Sequence, residues 1–188
     1  MRRLALALTL ALAVVALAGC GNEGGASTQA DTEGLYLAAD GLKYQIQLSR
    51  QLNPALVEDS ELLRGVPAAE TKLKPDEVWF GVWLRVENDG KAPHTSSDNF
   101  EITDTQDNHF EPLTIDPTQN ALAYRARALA PADLYPETDS VAATCCPREG
   151  AMLLFKLNRA VYQNRPLEFD ILTTNVPVRT EATVELDL

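Results

Sequence analysis

One stretch decides the fold of this chain: Val78-Trp79-Phe80-Gly81-Val82-Trp83-Leu84-Arg85-Val86. Apolar side chains occupy every second position from Val78 to Val86, which is the period of a β-strand with one buried face. The residues Asn88-Asp89-Gly90 follow, and Asp-Gly favours a tight turn. The stretch therefore predicts a half-buried strand that ends at a turn.

Shorter patterns of the same kind recur on both sides of this strand. Apolar and polar residues alternate over residues 42–48, at residues 100–102 and 167–171, and again over residues 182–188, while residues 152–157 form a nearly continuous apolar run. Several short strands separated by Pro- and Asp-rich turns are typical of a β-sandwich. We therefore predict an all-β fold, an antiparallel β-sandwich.

One short helix is predicted between two of these strands. Asn53 is a suitable N-cap, Pro54 suits the first helical position, and Gly65 is a suitable end. Leu56 and Leu63 lie two turns apart on one face of such a helix. The prediction is a helix over residues 54–64.

Trp79 and Trp83 point away from the alternating face of the central strand. Large aromatic side chains are seldom left as a bare pair on a protein surface. Either another element covers them, and the 54–64 helix is the obvious candidate, or they form a binding face that holds a partner or a sugar by stacking. The sequence leaves both interpretations open.

The region from residue 79 to residue 171 resembles a widespread immunoglobulin-like domain of unknown function found in bacterial lipoproteins and other secreted proteins. The matching stretches are Val86-Glu87-Asn88-Asp89-Gly90, Phe100-Glu101-Ile102-Thr103-Asp104, Leu129-Ala130-Pro131, Leu153-Leu154-Phe155 and Leu167-Glu168-Phe169. That family usually has Gly after Leu-x-Pro, where this chain has Ala132. The resemblance implies an extracytoplasmic β-sandwich and carries no catalytic residue.

The N-terminus has the composition of an export signal. Arg2 and Arg3 precede an apolar run over residues 4–18, and the run leads into Leu17-Ala18-Gly19-Cys20. The apolar run is shorter than the ~20 residues of a comfortable membrane span. A cysteine directly after Leu-Ala-Gly looks like a bacterial lipobox, which implies cleavage before Cys20 and acyl chains on that residue.

These features predict three segments and an acidic mature protein. Residues 1–19 are the expected signal peptide, residues 20–34 a lipidated cysteine with a flexible tether, and residues 35–188 the β-sandwich. The formal net charge is −11, and a surface this acidic disfavours nucleic acid. Two or three acyl chains hold a protein firmly at a membrane. We expect an extracytoplasmic protein anchored to the cell membrane, or to the outer membrane in a two-membrane organism, with an envelope protein or wall component as partner.

The other two cysteines are adjacent, at Cys145 and Cys146. Neighbouring Cα atoms lie 3.8 Å apart, below the usual lower limit of ~4.4 Å for a disulfide, so a vicinal bridge would be strained. The alternatives are free or intermolecularly paired thiols, or a copper(I) site completed by Met152 and a histidine. A redox or copper-handling lipoprotein is accordingly the second functional hypothesis.

Catalytic motifs give no support for an enzyme. The sequence contains no Gly-x-Ser-x-Gly, Ser-x-x-Lys or His-Glu-x-x-His motif and no phosphate-binding loop. His94 lies close to Ser96 and Ser97, but a triad is positioned by the fold and not by sequence neighbours. Five acidic residues could bind calcium or simply form a solvated turn: Asp98, Glu101, Asp104, Asp107 and Glu111. We predict a non-enzymatic binding module with no cofactor and no metal.

Overall fold

The protein is a β-sandwich, as a computed structural model describing residues 26–144 and 149–187 shows. The predicted signal peptide, Cys20, Cys145 and Cys146 all lie outside the described residues. Within the described ranges the strands are β1 Gln29–Ala30, β2 Tyr36–Ala39, β3 Leu42–Leu52, β4 Glu77–Glu87, β5 His94–Thr95, β6 Phe100–Thr103, β7 His109–Phe110, β8 Ala128–Leu129, β9 Leu134–Tyr135, β10 Ala151–Asn158, β11 Glu168–Leu172 and β12 Thr180–Glu185.

Two sheets face each other across the main core. The first has the order β10-β4-β3-β2, with β9 pairing to the end of β4, and the second has the order β1-β12-β11-β6-β7. A small ladder joins β5 and β8. The inward side chains of β4, among them Phe80, Val82 and Leu84, meet Phe100 and Phe169 of the opposite sheet. The predicted all-β sandwich is confirmed.

Strand β4 is more deeply buried than its alternating sequence predicts. Seven consecutive residues from Val78 to Leu84 are buried. A period of two predicts one buried face, but here the opposite face is covered as well. The central position of β4, between β10 and β3, gives it neighbours on both edges. The strand is therefore enclosed on every side over most of its length.

The helical prediction is correct in place and too long. Helix α1 spans Val57–Leu62, three residues shorter than predicted at its start and two at its end. The side-chain oxygen of Asn53 accepts a hydrogen bond from the amide of Ala55 (3.0 Å), so it caps a turn that precedes the helix. Gly65 follows with φ of +78°, in the left-handed region that favours glycine. Further short helical segments are α2 Val141–Thr144 and the 3-10 turns Ala68–Glu70 and Arg159–Tyr162.

The folded part begins before residue 35, so the predicted tether is too long. Gln29 and Ala30 pair in parallel with Thr183 and Val184 of β12, which also departs from a purely antiparallel sandwich. The hydroxyl of Thr32 donates to the carboxylate of Asp187 (2.9 Å). This segment is ordered by backbone pairing and not by burial of large side chains. Such pairing leaves no apolar period in the sequence, so the sequence does not predict it.

The turn at Ala132 keeps a backbone conformation that glycine favours. Ala132 has φ of +69°, and its amide donates to the carbonyl of Asn88 (2.8 Å). The side chain of Asn88 is buried and donates to the carbonyls of Ala92 and Leu129 (2.9 Å each). Asn88 thus links the loop after β4 to the loop after β8. Ala132 adopts a strained backbone conformation in the second loop, where its amide bonds to Asn88.

Candidate functional site

Trp79 and Trp83 lie in a second hydrophobic cluster on the outer face of the first sheet, and both are buried. The predicted binding face at these residues is therefore wrong, and the alternative, in which another element covers them, is correct. The cover has two parts, helix α1 and a loop before β8. The buried members of the cluster are Leu52, Leu62, Trp79, Trp83, Ile115, Ala123, Met152 and Leu154.

Cationic side chains and a glycine fix the two indole rings. The guanidinium of Arg50 lies 5.6 Å from the ring centroid of Trp83, and the ammonium of Lys156 lies 5.3 Å from that of Trp79. A Cβ at Gly81 would be 2.6 Å from the six-membered ring of Trp83, so only glycine leaves room for that ring. Among the described side chains, the indole nitrogen of Trp83 is the buried polar atom that makes no hydrogen bond.

An ion pair between a buried aspartate and a partly exposed arginine holds α1 against the sheet. Asp59 of α1 is buried, and its carboxylate accepts hydrogen bonds from both terminal nitrogens of Arg50 on β3 (3.1 and 2.5 Å). The backbone amide of Asn53 donates to the same carboxylate (2.8 Å). This arrangement fixes the position of Leu62, which reaches the tryptophans from the same helix.

The loop that completes the cover, residues 111–126, is named the strap. It lies along the edge strand β10, where the amide of Leu113 donates to Leu154 (2.7 Å) and the amide of Met152 donates to Leu122 (2.6 Å). The side-chain amide of Asn120 donates to the carbonyl of Leu62 (2.9 Å). The strap thus closes one edge of the sandwich and bonds to the end of α1.

A cavity of about 410 Å³ lies between the strap and the sandwich. Its lining is mostly apolar, with one acidic and one basic residue, and comprises Asp98, Phe100, Pro112, Leu113, Thr114, Ile115, Pro117, Ala123, Tyr124, Arg125, Ala126, Met152 and Leu153. Pockets that hold small ligands typically measure ~300–1,000 Å³ and combine apolar walls with a few polar groups. This cavity has the size and the chemistry of a binding site for an apolar group.

The aromatic wall of the cavity is rigidly positioned. The rings of Phe100 and Tyr124 pack edge to face, with centroids 5.2 Å apart. The hydroxyl of Tyr124 donates to the carbonyl of Ser97 (2.7 Å), and the amide of Ser97 donates to the hydroxyl oxygen of Tyr44 (2.7 Å). Burial raises the pKa of both tyrosines far above its usual value of 10, so both phenols stay neutral and act through hydrogen bonds. No period in the sequence of the strap signals this wall.

Ser97 has a structural role in this wall. It is fully buried, and its hydroxyl lies within hydrogen-bonding distance of the carbonyls of Asn99 (3.1 Å) and Leu172 (2.9 Å). His94 belongs to β5, and its ring packs against the turn at Gly41. These contacts join β6, β11 and the β2–β3 turn at one end of the sandwich.

Two acidic residues in and next to β6, Glu101 and Asp104, bond to different partners. Burial favours a higher pKa for Asp104, but hydrogen bonds from Asn164 and Asn108 outweigh it and hold the pKa below its usual 3.8. Glu101 pairs with His109 (2.8 Å), and this contact raises the pKa of the imidazole. In the part of the chain that the structure describes, no three His, Cys, Asp or Glu side chains converge as metal ligands would.

No known protein family matches this sequence, and no curated protein matches it. Among solved structures, yjhA of Bacillus subtilis is similar with a TM-score of 0.49 and 11% identity, over 84% of this chain and 99% of that protein. The lipoprotein candidate ycdA of B. subtilis strain 168 gives 0.48 and 12%, over 81% of this chain and 38% of that protein. An uncharacterised β-sandwich protein of Clostridium difficile 630 gives 0.41 and 8%, over 88% and 97%.

Proposed function

We propose that this chain is a lipid-anchored, extracytoplasmic protein of the cell envelope that binds an apolar group of an envelope component in the cavity under the strap, without catalysis. The cavity carries the proposal. Its walls are aromatic and aliphatic, and Asp98 and Arg125 add one charge of each sign to the lining. Apolar walls supply affinity, and a few charged groups orient the ligand.

The sequence Leu17-Ala18-Gly19-Cys20 supports the anchor. In the described ranges no helix is long and apolar enough to cross a bilayer. The attachment in this proposal is the acyl chains on Cys20. Replacing Cys20 with Ala is expected to abolish fatty-acid labelling and normal cleavage of the signal peptide. Fatty-acid labelling that persisted in this variant would refute the anchor.

The binding site is tested by cross-linking in intact membranes. A photoreactive p-benzoylphenylalanine at Ala126, an exposed residue that lines the cavity, is expected to capture an envelope protein or wall fragment. The same group at Ala121 is the matched control, because Ala121 is also exposed and does not line the cavity. Equal capture from the two positions, or no capture from position 126, would contradict the proposed site.

A further inference from the structure

The loop between β11 and β12, residues 173–179, presents apolar side chains to solvent. Val176 is 94% exposed and Val178 is 55% exposed. The base of the loop is closed by a hydrogen bond from the amide of Thr173 to the carbonyl of Arg179 (2.8 Å), and the amide of Arg179 donates to the hydroxyl oxygen of Thr173 (3.0 Å). The valines therefore project from a closed loop, and they do not belong to either core cluster.

The topology places this loop at the end of the sandwich where the chain enters from Cys20. Strand β1 runs parallel to β12, and the amide of Thr183 donates to the carbonyl of Thr28 (2.9 Å). In a parallel pair, both strands begin at the same end of the sheet. The residues that lead into β1 and the loop that leads into β12 consequently lie at the same end.

The chain between the anchor and the first described residue is short. Cys20 and Ala26 are six positions apart, and six residues span at most about 20 Å even when fully extended. If Cys20 carries acyl chains, this end of the sandwich stays within that distance of the bilayer surface. A 14-residue tether, as the sequence pattern predicted, would have allowed a much longer reach.

We infer that the loop 173–179 contacts the bilayer to which Cys20 is anchored and places Val176 and Val178 in the interface; this inference rests on the proposed lipid anchor. The charge of the loop agrees with such a contact. The chain is acidic overall, but no Asp or Glu occurs between Asp170 and Glu181. Exposed Arg179 lies at the base of the loop, where a basic side chain favours anionic headgroups.

The test is a tryptophan placed in the loop of the full lipidated protein. Val176→Trp is reconstituted in vesicles of phosphatidylethanolamine and phosphatidylglycerol, with and without brominated acyl chains that quench indole fluorescence. An apolar side chain at the headgroup boundary lies within reach of the acyl chains, so we expect the added emission to be lower in the brominated vesicles than in the unbrominated ones. The emission of buried Trp79 and Trp83 reports that the variant is folded.

The matched control is Val57→Trp. Val57 is 78% exposed and lies at the opposite end of the sandwich, since α1 follows the end of β3. The carboxylate of Glu33 accepts hydrogen bonds from the amide of Ser49, late in β3, and from that of Asp187, which follows β12. The C-terminal ends of β3 and β12 are thus together. We expect no quenching of the indole at position 57.

Mass spectrometry of the N-terminal peptide separates the two proposals. If Cys20 is acylated and the indole at position 176 is quenched no more than the indole at position 57, the loop inference is overturned and the anchor stands. If Cys20 carries no acyl chain, the anchor fails, and the loop inference fails with it. The emission of the indole at position 176 could instead shift to the blue in the absence of lipid, by an amount that grows with protein concentration. That result would show that the loop contacts a second copy of the chain, and it would also overturn the inference.

Discussion

Replacing Leu62 with Ala tests whether α1 holds the cover over the tryptophans. Leu62 is 2% exposed and belongs to the second hydrophobic cluster. The substitution removes three buried carbons, at about 0.8 kcal/mol each, and the cavity that remains adds to the loss. We expect the free energy of unfolding to fall by about 3 kcal/mol, within the range of ~2–5 kcal/mol for buried leucines.

The assay is urea denaturation followed by the fluorescence of Trp79 and Trp83, with thermal unfolding as a second measurement. For a domain of this size, a loss of about 3 kcal/mol lowers Tm by roughly 6–12 °C. The control is Leu56→Ala, because Leu56 is 56% exposed and its loss should change stability by no more than about 0.5 kcal/mol. If the two variants unfold at the same urea concentration, α1 does not stabilise the cluster, and the reasoning is refuted.

Three further perturbations test other parts of the molecule. Asp59→Ala removes the buried partner of Arg50 and should cost about 3 kcal/mol in chemical denaturation; a loss below about 1 kcal/mol would show that the pair does not hold α1. Ala132→Gly relieves a positive φ and should raise stability by about 0.5–1 kcal/mol, the conformational strain less the added entropy of the unfolded chain; a lower Tm would contradict this. Because the folded pKa of Asp104 is lowered, its contribution is present above the unfolded pKa of 3.8 and is lost as pH falls through the folded pKa. The stability difference between the protein and Asp104→Asn should therefore shrink below about pH 4, and a difference that does not change with pH would exclude this role.

The strands with a clear period could be predicted from the sequence, and the site could not. The alternating residues of β4 predict this strand, because one of its faces packs in the core between the two sheets. The sequence indicates the 54–64 helix as a cover for Trp79 and Trp83, but it does not identify the strap, which supplies Ile115 and Ala123 to the same cluster. The strap has no helical or strand period, and its position depends on backbone bonds to β10. The cavity is lined by the strap together with Phe100 of β6 and Met152 of β10, so it depends on contacts between segments far apart in the sequence.

The parallel pairing of β1 with β12 has a consequence for the order of folding. Thr32 and Asp187, which bond to each other beside this pair, are 155 positions apart. Closing so long a loop is slow compared with forming contacts between neighbouring strands. The second sheet cannot gain its first strand until its last strand has been synthesised. We therefore expect the two ends of the domain to become ordered together, after the β3–β4 and β4–β10 pairs, so that the point where the chain enters the domain is among the last parts to form.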